Sequence, residues 1–366
     1  MARVRPITLD DLRRAAVTRS LFAPTTLQRA LDTFGFVQAD PIRAPARAQD
    51  LTLRHRVDGY RAGDLERQYA TLDVHEDFFV NYGFVTGAVQ HLMHPRGGPA
   101  PWPAGRGRHV RTLLDFVRER GSVHPREVDE HFAHGTVTNY WGGVSSATTH
   151  LLDAMHYRGL LRVVRREGGI RIYAVHEHEA APRDAASRRA RLDALADVVV
   201  AKYAPLPAAS LSMVIRRLRY AVPQWTGELA RTLQRVKLRL AHAAVDGVTW
   251  YWPASETVLG LELDDSVRLL TPFDPIVWDR RRFELLWGWA YRFEAYTPVP
   301  KRKLGYYALP LLWRGRVIGW GNVSLKDGTL HAEFGYTASH PPPGRVFRSA
   351  LDEELDRMRT FLRARA

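Results

Sequence analysis

His109-Val110-Arg111-Thr112-Leu113-Leu114-Asp115-Phe116-Val117-Arg118-Glu119-Arg120-Gly121-Ser122-Val123-His124-Pro125 opens the stretch that decides the fold, residues 107–179. Val110, Leu113, Leu114 and Val117 recur at i, i+3, i+4 and i+7, one face of an amphipathic helix that Gly121 ends. Ser122-Val123-His124 reads as a short strand, and Pro125 opens a second helix with Val128 and Phe132 turned inward. Ser145 or Ser146 caps a third helix that carries Ala147, Leu151, Leu152 and Met155 and closes at Gly159. Leu160–Val164 and Ile170–Val175 alternate on either side of Gly168-Gly169, the pattern of a β-hairpin. Helix, short strand, helix, helix, hairpin is the order of a winged helix.

Outward from that unit the theme recurs. In residues 183–252 a first helix carries Leu192, Leu195, Ala196 and Val199, and a second Leu211, Val214, Ile215 and Leu218. A third carries Leu229, Leu233, Val236 and Leu240, before a strand at Val248–Trp252. The first hundred residues suit the same plan, with helices near 8–20 and 25–34. From Val267 to Tyr336 the texture changes to short aromatic and β-branched runs at Arg292–Tyr296, Gly305–Leu309, Arg316–Trp320 and Leu330–Phe334, the spacing of a small β-barrel. His340-Pro341-Pro342-Pro343-Gly344 is a stiff linker to a last helix with Phe347, Leu351, Leu355, Met358 and Leu362 on one stripe. The expectation is an α+β protein: tandem winged-helix (helix-turn-helix) domains followed by a C-terminal β-barrel. Its segments are 1–100, 107–179, 183–252, 255–343 and 344–366, with a Pro/Gly-rich linker at 95–107.

The chain has 53 Lys+Arg against 39 Asp+Glu, a formal charge of +14, which points to a polyanion partner. Residues 183–239 hold twelve basic and four acidic groups, so the excess is concentrated there. Cysteine is absent, which excludes a disulfide framework, thiolate chemistry and cysteine-bound zinc. No apolar run reaches the roughly 18 residues of a membrane span, and the N-terminus lacks the apolar core of a signal peptide. A cytoplasmic protein associated with the nucleoid is expected. No heptad seam is visible, so a monomer is expected.

A basic winged-helix protein invites the reading of a transcriptional regulator, or another non-catalytic DNA-binding protein. The helix at 146–158 argues against it. It presents Thr148, Thr149, His150, Asp153 and His156 with one cation, Arg158, whereas a major-groove helix needs Arg, Lys, Asn or Gln at the base edges.

A second candidate lies in Phe36-Val37-Gln38-Ala39-Asp40-Pro41-Ile42. An extended run puts Gln38 and Asp40 on one face, and Pro41 biases Asp40 toward extended backbone. A carboxylate stabilises an oxocarbenium-like centre and deprotonates water, while an amide fixes water geometry. The plain alternative is an Asp-Pro turn beside a solvated Gln.

This run and the following Arg43-Ala44-Pro45-Ala46-Arg47-Ala48 resemble the signature of the YcaQ/AlkZ-type winged-helix DNA glycosylases. The resemblance extends to Leu269–Arg280 and to Lys301–Pro310, and covers nearly the whole chain. It implies release of N7-alkylated guanine and unhooking of interstrand crosslinks in double-stranded DNA. It also implies catalytic roles for Gln38 and Asp40, the latter in the Gln-x-Asp form of the motif. Ala39 is smaller than the bulkier apolar residue expected between them.

N7 alkylation leaves guanine cationic, so the leaving base needs little acid catalysis, and the enzyme has to stabilise the sugar and deliver water. The first 201 residues contain no lysine, so no lysine is expected near the motif to form a Schiff base, and monofunctional hydrolysis without a cofactor follows. Arg43, Arg47, Lys301, Arg302 and Lys303 are candidate phosphate contacts; the last three could also guard a strand edge. His176-Glu177-His178 and His91-x-x-His94 have metal-compatible types without an evident third ligand, so no metal is expected. Trp287, Trp289, Trp313 and Trp320 read as packing.

Overall fold

The structure is a computed structural model that describes residues 5–96, 102, 106–132, 135–138 and 144–363. Two compact units emerge, each drawing on separated stretches: Met1–Asp64, Ala196–Ile215 and Leu233–Ala366 in one, Leu65–Leu195 and Arg216–Thr232 in the other. Among the described residues no helix is long and apolar enough to cross a membrane.

The chain begins with α1 (Leu9–Ser20), α2 (Leu27–Phe34), β1 (Phe36–Gln38), α3 (Ala48–Leu53) and α4 (Asp64–Gln68). An antiparallel hairpin of β2 (Val74–Phe78) and β3 (Tyr82–Thr86) leads into α5 (Gly87–Met93). Local chemistry sets these bounds. Thr8 and Asp11 form a capping box on α1, and the hydroxyls of Thr26 and Thr86 accept the first free amides of α2 and α5. The linker expected at 95–107 lies largely outside the described residues.

Next come α6 (Arg106–Arg120), α7 (Pro125–Phe132), a small hairpin of β4 (Thr136–Thr138) and β5 (Val144–Ser146), α8 (Ala147–Tyr157), and the hairpin β6 (Leu161–Glu167) with β7 (Ile170–Val175). Val123 bridges Tyr173 of β7, so the expected short strand is one residue pair. Ser146 is the cap of α8. Val110, Leu113, Val117, Val128, Leu152 and Met155 share one core, as the helical spacing predicts. The α8 face differs from expectation. Thr148 and His156 are buried, His156 Nε2 being 2.8 Å from the Glu76 carbonyl, and Asp153 accepts from Arg171 Nη1 (2.8 Å) and the Tyr173 hydroxyl (2.9 Å). Thr149 and His150 are left exposed.

The same order returns in α9 (Ala185–Tyr203), β8 (Leu206–Pro207), α10 (Ala208–Arg217), α11 (Leu229–Arg239) and the hairpin β9 (Leu240–Val245) with β10 (Val248–Pro253). Here β8 pairs with β10, as Val123 pairs with β7. Leu240, assigned by its spacing to the third helix, instead opens β9, which turns at Asp246-Gly247.

The remainder is β11 (Val267–Leu269), α12 (Arg280–Trp287), β12 (Leu309–Trp313), β13 (Arg316–Lys326), β14 (Thr329–Tyr336) and α13 (Arg345–Leu362). The expected β-barrel is not formed. The strands make an open antiparallel sheet in the order β11-β12-β13-β14, and Arg292–Tyr296 and Gly305–Ala308, read as strands, are outside it. A closed barrel needs a strand on every edge. At β11 that place is taken by side chains: Leu269 N–H donates to Glu354 Oε1 of α13 (2.9 Å), Arg357 Nη2 to Val267 O (3.0 Å), and Arg54 Nη2 to Leu269 O (3.0 Å). A helix covers the edge. Trp289 stacks on Trp320 and Trp313 meets Phe347 edge-on, so these tryptophans do pack.

A buried ion pair crosses the apolar interior of this unit. Arg56, fully buried, forks onto Asp274 through Nη1–Oδ2 (2.7 Å) and Nη2–Oδ1 (3.1 Å), and donates to Ser20 O (2.8 Å) and Thr52 O (2.6 Å). It thereby ties the ends of α1 and α3 to the segment 271–278. Removing one partner leaves an uncompensated buried charge, so Asp274→Ala should lower unfolding free energy by about 3–5 kcal/mol. Urea titration checks this; a loss below about 1 kcal/mol contradicts the role given to the pair.

Candidate active site

Gly35 sets the geometry of the motif. Its φ of 63° ends α2 in the left-handed region that other residues avoid, and its N–H returns to Leu31 O (2.8 Å). The chain reverses into β1, where Val37 is fully buried and Gln38 half-buried. Gln38 Oε1 accepts the indole N–H of Trp278 at 2.8 Å. That contact settles which end of the amide faces Trp278 and turns the NH2 the other way. β1 stops at Gln38, so Asp40 follows the strand rather than lying on it. Asp40 Oδ1 accepts Ile42 N–H at 2.9 Å, closing the turn that Asp-Pro predicts. The carboxyl is half-buried; burial pushes its pKa above the usual range, and the Ile42 N–H acts against that. Turn-former and perturbed acid are therefore the same residue.

The end of α9 supports the motif from beneath. Tyr203 stacks on Trp278, with centroids 4.9 Å apart, and the Trp278 backbone N–H donates to the Asp274 backbone carbonyl (2.8 Å). Beside it, Lys202 Nζ donates to Phe36 O and lies 4.1 Å from the Phe34 ring centroid. This corrects the expectation that no lysine lies near the motif. The fold brings one from 164 positions beyond Gln38. Lys202 is buried, which lowers its pKa to about 7, with the adjacent Arg56 cation pushing in the same direction. Its amine is committed to the carbonyl side of β1, among aromatic rings.

On the other side is the segment 293–307. Phe293 meets Tyr307 edge-on (5.3 Å) and Tyr296 likewise (6.1 Å). The Tyr307 hydroxyl is 3.2 Å from Thr271 Oγ1. Burial raises the pKa of both tyrosines, and the Asp40 charge raises them further, so both lie within its field. Of the five candidate phosphate contacts, Arg43, Lys301 and Lys303 are exposed, while Arg47, at the cap of α3, and Arg302 are half-buried. Lys301, Arg302 and Lys303 lie in a tight turn and loop, so they guard no strand edge. Sequence reading missed Trp278, Tyr296 and Tyr307.

His94, His176 and His178 meet in the other unit, while His91 Nε2 lies 3.9 Å from Glu179 Oε2. His94 stacks flat on His178 (4.5 Å), His176 lies 3.8 Å from His178, and His75 stacks on His176 (6.0 Å). His94 Nε2 is 2.6 Å from Asp77 Oδ2. Among the described residues no group of three or more such side chains has the disposition to hold a metal. Burial, with mutual repulsion, lowers His94 to about 4 and His176 to about 3, so these rings pack neutral at pH 7.

Comparison with known proteins places this arrangement. The fold is similar to that of the Streptomyces sahachiroi DNA glycosylase AlkZ, with a TM-score of 0.63, 13% identity, and coverage of 98% of this chain and 97% of that one. It defines a mixed α/β architecture shared with an enzyme of DNA. The family model described as DNA glycosylase AlkZ-like matches residues 31–361, and the chain belongs to that family of DNA glycosylases.

Two outcomes follow from this geometry. Trp278→Phe keeps the stack on Tyr203 but removes the indole N–H that Gln38 Oε1 accepts, so base release should slow by roughly tenfold while DNA affinity changes less than about twofold. Single-turnover release and a binding titration check it; equal losses in both would place Trp278 in DNA binding. Depressed histidine pKa values mean stability is complete above the unfolded value near 6.5 and is lost as pH falls toward about 4. The melting temperature should drop over that window, and His176→Asn/His178→Asn should flatten the dependence.

Proposed function

We propose that this glycosylase hydrolyses the N-glycosidic bond of N7-alkylated guanine in double-stranded DNA, including guanines joined in interstrand crosslinks, with Gln38 and Asp40 as its catalytic residues. The observation that carries this reading is the pairing of a half-buried carboxyl of raised pKa with an amide oriented by Trp278, two residues apart. Asp40 stabilises the sugar cation and takes a proton from water; Gln38 holds that water. The alkylated base already bears positive charge and leaves as a neutral molecule, so no strong acid is required.

The reaction is monofunctional. Lys202 is the lysine nearest the motif in the chain, and its amine is held on Phe36 O beneath the strand rather than offered as a nucleophile. Arg43, Arg47, Lys301, Arg302 and Lys303 bind flanking phosphates. The protein acts as a monomer and without a cofactor. Asp153, taken up by Arg171 and Tyr173, leaves α8 with Thr149 and His150 exposed, a poor set of base readers for a regulator.

The test incubates wild type and Asp40→Asn with duplex carrying 7-methylguanine, with and without alkali. Wild type should release base and leave a strand cut only after alkali, with an acid limb displaced above that of an exposed carboxylate, because activity is lost as pH falls through the raised pKa of Asp40. Asp40→Asn should lose at least about a hundredfold in rate with DNA binding retained. Undiminished turnover by the variant refutes the assignment, and strand cleavage without alkali refutes the monofunctional reaction.

A further inference from the structure

Tyr296 is a large aromatic side chain left 76% exposed in a loop that is otherwise tightly built. The buried Glu294 carboxylate accepts the backbone N–H groups of Lys303 (2.8 Å), Leu304 (2.7 Å) and Gly305 (3.3 Å) through one oxygen. Asn322 Nδ2 donates to Leu304 O (2.8 Å), and at Gly305, with φ of 120°, a Cβ would strike the Asn322 side chain. Thr297 N–H returns to Glu294 O (2.9 Å), and Arg302 Nε donates to Thr297 O (2.7 Å) while its guanidinium lies 5.1 Å from the Tyr306 ring centroid. The loop's conformation is thus set by satisfied backbone groups, and its apolar surface is not spent on its own packing. Tyr296, Val299 (71%) and Tyr306 (43%) are exposed on the same stretch as the exposed cations Lys301 and Lys303. An exposed ring held on a rigid loop costs little order on meeting a ligand.

We propose that Tyr296 is the specificity residue of the site, its ring face stacking on the positively charged alkylated base and distinguishing it from neutral guanine. Tyr296 packs against Phe293, Phe293 against Tyr307, and the Tyr307 hydroxyl meets Thr271 at the start of the segment that presents Trp278 to Gln38, so the ring is tied by contacts to the candidate site, and the Asp40 charge reaches it. An aromatic face attracts a cation through its quadrupole and treats an uncharged isostere as a plain stacking partner. Discrimination by charge suits an enzyme that must pass over a large excess of ordinary guanine. The inference rests on the reaction proposed above, and its test is arranged to separate the two.

The experiment uses the full chain and a matched pair of duplexes, one with 7-methylguanine and one with its neutral isostere 7-methyl-7-deazaguanine. In an Asp40→Asn background, the cationic lesion should bind about tenfold more tightly than the isostere. Tyr296→Phe should keep that ratio, and Tyr296→Leu should bring it to about one without changing affinity for undamaged duplex. In the Asp40 enzyme, Tyr296→Leu should slow 7-methylguanine release by a similar factor. A ratio unchanged by Tyr296→Leu overturns the proposal, as does an equal loss for all three duplexes, which would make Tyr296 a general DNA contact. Failure of the wild-type enzyme to release 7-methylguanine would instead count against the reaction itself, and the binding ratio would still report on Tyr296.

Discussion

The buried fork between Arg56 and Asp274 is the contact on which the site depends. A guanidinium taken out of water needs a carboxylate at matched geometry and oxygens for its remaining donors, and Arg56 finds both in Asp274, Ser20 O and Thr52 O. The fork dictates where residues 271–278 run. Asp274 accepts Ile276 N–H on Oδ1 (3.0 Å), and its backbone carbonyl takes the Trp278 backbone N–H, so the indole is delivered to Gln38 from a backbone with little freedom. A second buried guanidinium, Arg282, donates to Pro205 O (2.8 Å) and Pro275 O (3.2 Å), joining the same segment to the corner after α9. Two arginines thus hold the middle of the run that presents Trp278, at Asp274 and at Pro275 and Ile276.

On the proposed function, this arrangement explains how a motif of three residues would serve as a site. Neither Gln38 nor Asp40 has unusual chemistry alone. Gln38 gains direction from Trp278, Trp278 from Tyr203, and the strand beneath them from Lys202, so two consecutive residues at the end of α9 support it at two points. Asp40 gains basicity from partial burial. In the proposed reaction, polar groups preorganised in this way would not have to reorient as charge develops on the sugar.

Much of the helical half was legible in the sequence because its signals are local. The Val110–Val117 spacing, Pro125, Ser146 and the Gly168-Gly169 turn each act within a few residues, and the structure has an element bounded at each. Asp246-Gly247 is an equally local hairpin signal that competes with the helical spacing at Leu240, and in the structure the turn prevails. The C-terminal half depends on contacts between distant residues. Aromatic runs with glycine turns look alike in an open sheet and a barrel; the difference lies in Glu354 and Arg357, about ninety positions away, on the edge of β11. Gln38 and Asp40 could be singled out by residue type and an extended run, but Trp278 and Lys202 reach the motif only through the fold. The same holds for Tyr296, whose sequence context matches that of any exposed strand. His156 looked like an exposed helix face because the β2 carbonyl that takes its ring lies eighty residues earlier.

The central claim is that the Gln38–Asp40 pair is complementary to a positively charged sugar, and the most direct measurement is a comparison of two abasic analogues in duplex DNA. One carries a pyrrolidine ring, protonated where the anomeric cation develops; the other is the neutral tetrahydrofuran. The account predicts that the protein binds the pyrrolidine duplex at least about tenfold more tightly, and that Asp40→Asn removes the preference. Equal affinity of the wild-type protein for the two, or a preference that survives loss of the carboxylate, would contradict it.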